Sequence, residues 1–390
     1  MSSDALTPLR VLNCITGLNI GGAEYMLARF ARSLAEADIE PQVLSLLKLG
    51  PVAALFGQSG IHVESLDMDQ STISVAAIRK LRATVLRSRA DIFHGWMYHG
   101  NLAASLAALF QRPRPVIWSI HHSVDDIRAE KRSTRWVIRL LARLSSSATA
   151  ISYCSRASAR QHEALGFDSS RSVIVPNGID CDSFRPVDGA RLRLQRQFSI
   201  PSDRLIVGNV ARAHPMKDHE SFLRAIAALD RQGLNVHGLI IGAGHEEDSA
   251  ARRTARELGI DHRLSTPGPR SDVAELLPGL DVFLLSSAWG EAFPLSVAEA
   301  MACGVPAIAT DVGDCDWLLG DRRYIARPRE PESQAALVGD LLRLEAGERK
   351  LLGTLARKRI VENFSLQQYT EGHRQIYETA LSRQHLRSAA

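Results

Sequence analysis

Two glutamates with seven residues between them stand in "SSAWGEAFPLSVAEAMACGVPAIATDVGD", residues 286–314. Pro294 is placed to be the first helical residue, because its fixed φ suits that position and its missing N–H would be unpaired there anyway. Glu291 then precedes a helix and Glu299 lies on its second turn. A free helix start beside a strand end invites a phosphate, while the two carboxylates can accept hydrogen bonds from hydroxyls of a sugar and a ribose. A second such place is "ITGLNIGGAEYML", residues 15–27. The apolar "LRVLNCIT" runs into Gly17, and a helical rhythm begins at Ala23 with Met26, Leu27, Phe30 and Leu34 on one face. Gly21 and Gly22 therefore sit where a strand turns into a helix. Unpaired N–H groups and the positive end of the macrodipole favour an anion there, and missing β-carbons let it come close. The same pair also suits a tight connection needing positive φ. The full G-x-G-x-x-G fingerprint is not met and no acidic ribose residue follows at the expected distance, which sets a dehydrogenase aside.

Four histidines call for weighing: His94 and His99 in "FHGWMYHG", His121 and His122 in "WSIHHS". Spacing alone assigns them packing or helix capping. Asp-x-Asp pairs occur at Asp67/Asp69, Asp180/Asp182 and Asp314/Asp316. Such pairs can hold Mg²⁺ on a nucleotide sugar, but here they read as turn or cap acids, so no metal site is expected.

The elements that must position these residues alternate strand and helix. "LRVLNCIT", "PQVLSLL", "IHVESL", "DIFHGW", "PVIWSI", "ATAISYC" and "SVIVPNG" are separated by amphipathic segments, the pattern of a parallel sheet with helices on both faces. After "PNGIDCDSFRP" the pattern restarts with "RLIVGNV", "VHGLIIGAG", "RLSTPG", "DVFLLSS" and "PAIATD". The fold class is α/β, with two doubly wound, Rossmann-like sheets. The expected divisions are a first domain over 1–185, a second over 200–362, and a C-terminal helix over 363–390 that packs back on the first domain. Two such sheets facing each other leave a cleft at the carboxyl ends of their strands.

The segment around Glu291 and Glu299 resembles the donor-binding motif of retaining glycosyltransferases of family 4, of the kind used in bacterial surface polysaccharide assembly, which have the two-domain GT-B fold. The resemblance covers nearly the whole chain. It makes Glu291 and Glu299 the family's paired glutamates, with Phe293, Pro294 and Leu295 in the substrate-binding turn. "VARAHPMKDHESFLRAI" is similar to the segment whose Arg and Lys hold the donor pyrophosphate, here Arg212 and Lys217. "VIVPNGIDCDSF" resembles the Asn-Gly-Val/Ile-Asp signature ending the first domain, and "GLNIGGAE" its glycine-rich loop, which makes Gly21 and Gly22 half of a site closed by the other domain. The family's histidine after a first-domain strand matches His121, with His122 as the alternative. It hydrogen-bonds the sugar or offers its backbone carbonyl to the forming oxocarbenium, by front-face attack or a short-lived covalent adduct. A guanidinium, an ammonium and helix-start amides can stabilise the leaving diphosphate without a metal or other cofactor. The sequence departs from the family at Ala292, Asp218 and Asp314, each where glycine is common.

Composition bounds the rest. The chain has 390 residues, 45% hydrophobic and 23% charged, as in folded soluble proteins. No apolar run reaches the ~18 residues of a membrane span and no leader precedes the first strand, so a cytoplasmic place is expected. The five cysteines are scattered through apolar runs, as for reduced thiols. Residues 71–160 hold fifteen Lys and Arg against four Asp and Glu, whereas residues 191–390 balance at 26 against 26. The first half therefore meets an anionic partner. No nucleic-acid motif accompanies the charge, which points instead to an anionic membrane surface or lipid-borne acceptor on the inner face of the plasma membrane. Arg128, Arg132, Arg135, Arg139 and Arg143 fall on one helical face, with Trp136, Val137, Leu140, Leu141 and Leu144 supplying apolar surface. A nucleotide-sugar epimerase of the same architecture and a non-catalytic nucleotide- or lipid-binding module are the alternatives to transfer.

Overall fold

The computed structural model describes residues 8–69, 74–111, 113–246 and 249–389. It divides into two compact units, Met1–Gly178 with Leu366–Ala390, and Ile179–Ser365.

The first unit carries seven strands: β1 (Leu9–Ile15), β2 (Ile39–Leu47), β3 (Val63–Met68), β4 (Ile92–Trp96), β5 (Val116–Ile120), β6 (Ala150–Tyr153) and β7 (Ser172–Ile174). Their order is β3-β2-β1-β4-β5-β6-β7 and every pairing is parallel. The second unit has β8 (Leu205–Val210), β9 (Val236–Ile241), β10 (Leu264–Gly268), β11 (Val282–Leu285), β12 (Ala307–Thr310) and β13 (Ile325–Ala326), ordered β10-β9-β8-β11-β12-β13 and again wholly parallel. Helices cover both faces of each sheet, so the central strands are buried along their whole length, as in β4, β5, β9, β11 and β12.

In each sheet the winding direction reverses beside the first strand, between β1 and β4 and between β8 and β11. Adjacent connections leave in opposite directions there, and the loops after those strands splay apart. The residues singled out by chemistry lie after these strands: Gly21 and Gly22 after β1, Arg212 and Lys217 after β8, Glu291 after β11.

The C-terminal helix Leu366–Ala389 belongs to the first unit because its apolar residues complete that core. Tyr369, Ile376, Tyr377 and Ala380 pack in one cluster with Val11, Ile15, Phe30 and Trp96. The second core gathers Val207, Phe222, Ile226, Ile240, Leu284 and Ile308. At the roughly 25 cal/mol per Å² of apolar burial, each fully covered Leu, Ile or Phe contributes on the order of 1.5–3 kcal/mol.

Three local readings are corrected. Pro294 is the cap before the helix Leu295–Ala302, not its first residue; its carbonyl accepts the N–H of Val297 at 3.1 Å and of Ala298 at 3.2 Å. With φ −77° and ψ 90°, it lies outside the helical basin while opening the hydrogen-bond ladder. Gly21 and Gly22 do not serve a positive-φ turn. Gly21 caps the helix Gly22–Glu36 at φ −169°, extended backbone open to any residue, and Gly22 is not among the positive-φ glycines. The five arginines from Arg128 to Arg143 do not share one helix. Extended backbone at Glu130 and Lys131, with ψ 151° and 144°, separates the short 3-10 turn Ile127–Ala129 from the helix Arg132–Leu144.

Candidate functional site

The loop after β8 turns through a one-turn 3-10 helix, Pro215–Lys217, capped by the His214 ring, which accepts the Met216 N–H at 3.2 Å. Asp218 follows in the left-handed region at φ 46°, the conformation that the commoner glycine adopts freely. Its carboxylate compensates by capping the next helix, accepting from the Ser221 N–H at 3.2 Å and the Ser221 hydroxyl at 2.7 Å. The left-handed acid and its cap aim Lys217 at the neighbouring strand end.

There the Lys217 ammonium donates to Glu291 Oε1 at 2.5 Å, and the Ser287 hydroxyl donates to the same oxygen at 2.6 Å. Backbone contacts lock the two loops together: Ala288 N–H donates to the Met216 carbonyl at 2.8 Å, and the Ser286 hydroxyl to the Lys217 carbonyl at 2.8 Å. Thr310, at the end of β12, donates to the Ser287 carbonyl at 2.6 Å. Glu291 is only 7% exposed, so its charge is held by Lys217 and Ser287 rather than by water. Gly313 fits beneath it at φ 57°, where a β-carbon would stand 1.8 Å from the Glu291 carbonyl oxygen. Just before Glu291, Gly290 takes φ 77°, so the turn needs no left-handed residue at Ala292. Asp314, the second departure from glycine in "DVGD", is buried and precedes the short helix Cys315–Leu319.

Arg212 lies exposed in the same loop as Lys217. Phe293 is buried with its ring 5.5 Å from that of Phe364, so the side chain anchors the turn. Leu295 and Glu299 are half-buried on the helix that Pro294 opens. The structure thus joins Lys217 to Glu291 directly, with Pro294 capping the helix that follows and Leu295 and Glu299 on it.

Residues absent from the sequence reading complete this site. His219 and His245 meet edge to face at 4.3 Å, and the His245 Nε2–H donates to the Ala211 carbonyl at 3.1 Å, directly before Arg212. Burial, together with the facing imidazole and the Lys217 charge, pushes His219 down to about 3, so this pair is neutral. The only sequence signal was histidine recurring after strand ends, the signal that also marks core positions.

In the first unit the four singled-out histidines part company. His94 is wholly buried between the Tyr377 hydroxyl and the Ser119 hydroxyl, each at 2.7 Å. His99 is half-buried on the helix Met97–Ala108, and burial lowers its pKa. His122 meets Glu130 at 2.7 Å, and its carbonyl accepts the Ser158 hydroxyl at 2.6 Å. His121 stacks on Trp96 at 4.9 Å with 5° between the ring planes, and its Nδ1 lies 2.8 Å from Asn177 Oδ1. Burial pushes His121 down to about 4 against the opposing hydrogen bond that it donates to Asn177. At the glycine loop, a β-carbon on Gly21 would lie 2.3 Å from a Glu24 carboxylate oxygen, so this chain's own carboxylate folds over the glycine.

Among the described residues, no group of three or more His, Cys, Asp or Glu is placed to hold a metal ion, and no helix is long and apolar enough to cross a membrane. Asp67 is fixed by Ser65 and Lys80, Asp180 caps the Asp182 and Ser183 N–H groups, and Asp316 meets Arg322. All five cysteines are free.

Residues 191–359 match the family model for glycosyl transferases group 1, and residues 20–183 match that for Glycosyltransferase Family 4. A D-inositol 3-phosphate glycosyltransferase of Mycobacterium tuberculosis is 33% identical over 228 residues, 57% of this chain and 47% of that protein. The match therefore spans about half the length of that curated relative. Among solved structures, Anabaena Alr3699/HepE in complex with UDP and glucose superposes with a TM-score of 0.81 at 20% identity, over 96% of this chain and 100% of that one. A glycosyltransferase from Rickettsia africae gives 0.83 at 17% identity, over 96% and 99%. With two parallel-sheet units in the GT-B arrangement of strands and both family models matched, the chain belongs to the glycosyltransferases that join a family 4 first unit to a group 1 second unit.

Proposed function

We propose that this chain is a retaining, metal-independent glycosyltransferase that moves a sugar from a nucleotide-diphosphate donor to a glycan or lipid-linked acceptor in polysaccharide or lipopolysaccharide assembly. The observation that carries the reading is the Lys217–Glu291 pair at the reversal point between β8 and β11, beside the helix start at Pro294. A diphosphate leaving from a sugar gains negative charge as the glycosidic bond breaks. Lys217, Arg212 and the helix-start amides after Pro294 supply positive potential fixed before the reaction. Glu291 and Glu299 supply acceptors for sugar and ribose hydroxyls. The Lys217 ammonium has three N–H donors, so a phosphate can share it with Glu291 without breaking the pair.

The first unit would take the acceptor. On the helix Arg132–Leu144, Trp136 is 64% exposed, with exposed Arg132, Arg139, Arg143 and Leu144 around it, while Val137, Ile138 and Leu141 face the core. An exposed indole flanked by guanidiniums suits an anionic lipid–water interface, which supports peripheral attachment to the cytoplasmic leaflet.

The test is a screen of nucleotide sugars for diphosphate release, with and without lipid-linked acceptors. UDP-sugars head it, since the Anabaena neighbour was solved with UDP and with UDP-glucose. Acceptor-dependent release with the anomeric configuration kept is expected. Donor conversion without acceptor identifies an epimerase, and binding without turnover a non-catalytic module. Activity abolished by EDTA removes the metal-independent reading.

A further inference from the structure

The Asn-Gly-Ile-Asp segment ending the first unit brings Asn177 back to the end of β5, 56 residues away in sequence. Asn177 is 5% exposed, and its Oδ1 lies 2.8 Å from His121 Nδ1. An amide oxygen has lone pairs and no proton, so it accepts and Nδ1 must carry the hydrogen. A neutral imidazole has only one N–H, which leaves Nε2 as a bare lone pair. Nε2 is buried with no hydrogen-bond partner among the described residues. The ring plane is set by Trp96, on which one face lies flat and whose indole N–H is tied at 3.0 Å to the buried Asn13 Oδ1, and within that plane the Asn177 contact selects the orientation that places Nδ1 on the amide oxygen. Asn13, Trp96 and Asn177 together therefore fix the plane, tautomer and charge of one imidazole at the end of a first-unit strand.

We propose that Asn177 is a positioning residue, holding His121 as the neutral Nδ1–H tautomer so that Nε2 stays an acceptor for a substrate hydroxyl. The role rests on the transfer reading above. A buried acceptor without a donor is unfavourable, and folded proteins keep few of them; a ligand O–H would satisfy this one. The alternative tautomer would present an N–H instead, meeting the same hydroxyl donor to donor. The titratable groups facing this imidazole are His94 from β4, and Tyr369 and His373 from the C-terminal helix. Burial keeps all three neutral near pH 7: it lowers His94, pushes His373 down to about 3, and raises the Tyr369 phenol. No charge from that side competes with Asn177 for control of the tautomer.

The experiment uses the full chain labelled with ¹⁵N-histidine, His121 being assigned by comparison with His121→Gln. Long-range ¹H–¹⁵N correlation at pH 7.5 is expected to show Nδ1 protonated and Nε2 unprotonated. In Asn177→Ala the proton redistributes toward Nε2, and kcat falls about 10- to 100-fold with little change in donor KM, the size typical of losing a group that orients an active-site imidazole. Asn177→Asp keeps the tautomer, since a carboxylate also accepts from Nδ1–H. Its negative charge favours the imidazolium, so the acid limb of the kcat/KM profile moves to higher pH. A His121 protonated at Nε2 in the wild type, or Asn177→Ala with unchanged tautomer and kcat, overturns the proposal. Should the variants fail to fold, the wild-type spectrum decides alone. Absence of turnover with every nucleotide sugar defeats the transfer reading instead, and the tautomer measurement still judges Asn177.

Discussion

The two units use the same open sheet for opposite electrostatic purposes. At the end of β8 and β11 the second unit keeps an ammonium and a carboxylate 2.5 Å apart, with Arg212 exposed in the same loop. At the end of β4 and β5 the first unit keeps imidazoles neutral by burial: His94 and His373 are wholly buried and 5.4 Å apart, and neither meets a carboxylate. One end is built to hold charge; the other keeps its inner imidazoles away from carboxylates, with Glu130 meeting only the outer His122. A diphosphate needs fixed positive potential, whereas a neutral hydroxyl partner needs lone pairs and donors in fixed places. Substitutions should therefore act through charge in the second unit and through proton placement in the first.

The largest expected effect comes from breaking the ion pair. Lys217→Met leaves Glu291 as a buried carboxylate without its counter-ion and removes the cation proposed for the leaving diphosphate. A fall of roughly 10²–10³ in kcat is expected, about 3–4 kcal/mol. Loss should appear more in kcat than in KM, because the leaving-group charge grows toward the transition state. Lys217→Met/Glu291→Gln should be much less than additive, since each single change already disrupts the same pair. Steady-state kinetics on the four species of the cycle measure this coupling, and additive effects would separate the two residues.

Acid should act first on the other unit. His121 and His162 are pushed down to about 4 and His373 to about 3, all chiefly by burial, and His94 lies well below its usual value. These are bases whose folded values lie under the unfolded value of about 6.5. As pH falls through 6.5 the unfolded chain binds protons and the folded chain does not, so stability is lost from there down to the folded values. Between pH 7 and pH 5 each such histidine removes roughly 2 kcal/mol. The second unit has only His219 and His237 displaced to about 3 and 4, besides smaller shifts at His214 and His245. Hydrogen exchange followed from pH 7 to pH 5 should show the first unit losing protection before the second; simultaneous loss would erase the contrast.

A smaller effect is expected at Gly313→Ala. The left-handed backbone costs roughly 1–3 kcal/mol for a residue with a β-carbon, and that carbon would press on the Glu291 carbonyl. Thermal unfolding should show the second unit destabilised and the first unchanged. The smallest effect per residue belongs to the exposed helix of the first unit. Glu at positions 132, 135 and 139 should weaken flotation with anionic vesicles by about 1 kcal/mol for each cation lost, less at higher salt, and leave nucleotide binding intact. Equal binding to neutral and anionic vesicles, or none to either, would remove the membrane role.

How much of this was legible in the sequence follows the range of the interactions involved. The apolar runs located the strands from β1 to β12, most plainly the central ones, whose burial on both faces writes itself into consecutive residues; β13, two residues at a sheet edge, carries too little pattern. The motif around Glu291 was readable because its parts are neighbours in sequence. Its support was less so: Ser287 lies four residues before Glu291, but Thr310 and Gly313 come from the end of β12, and Lys217 reaches Glu291 from the loop after β8, 74 residues away. Likewise "WSIHHS" gave no means of separating His121 from His122, since the distinguishing partners, Trp96, Asn177 and Glu130, come from elsewhere in the chain. Helical spacing placed Trp136 beside or opposite the arginines; only the packed core showed that Val137, Ile138 and Leu141 are the residues turned inward.

The most direct test of the donor site is calorimetric titration of UDP into the intact chain, wild type against Lys217→Met, with Arg139→Glu as a charge-change control far from β8 in sequence. Saturable binding to the wild type, weakened about tenfold or more by Lys217→Met and unaltered by Arg139→Glu, is expected from losing one charge-assisted hydrogen bond to phosphate. The same affinity for wild type and Lys217→Met, or no binding of UDP to the wild type, would contradict a UDP-sugar site built on Lys217 and Glu291.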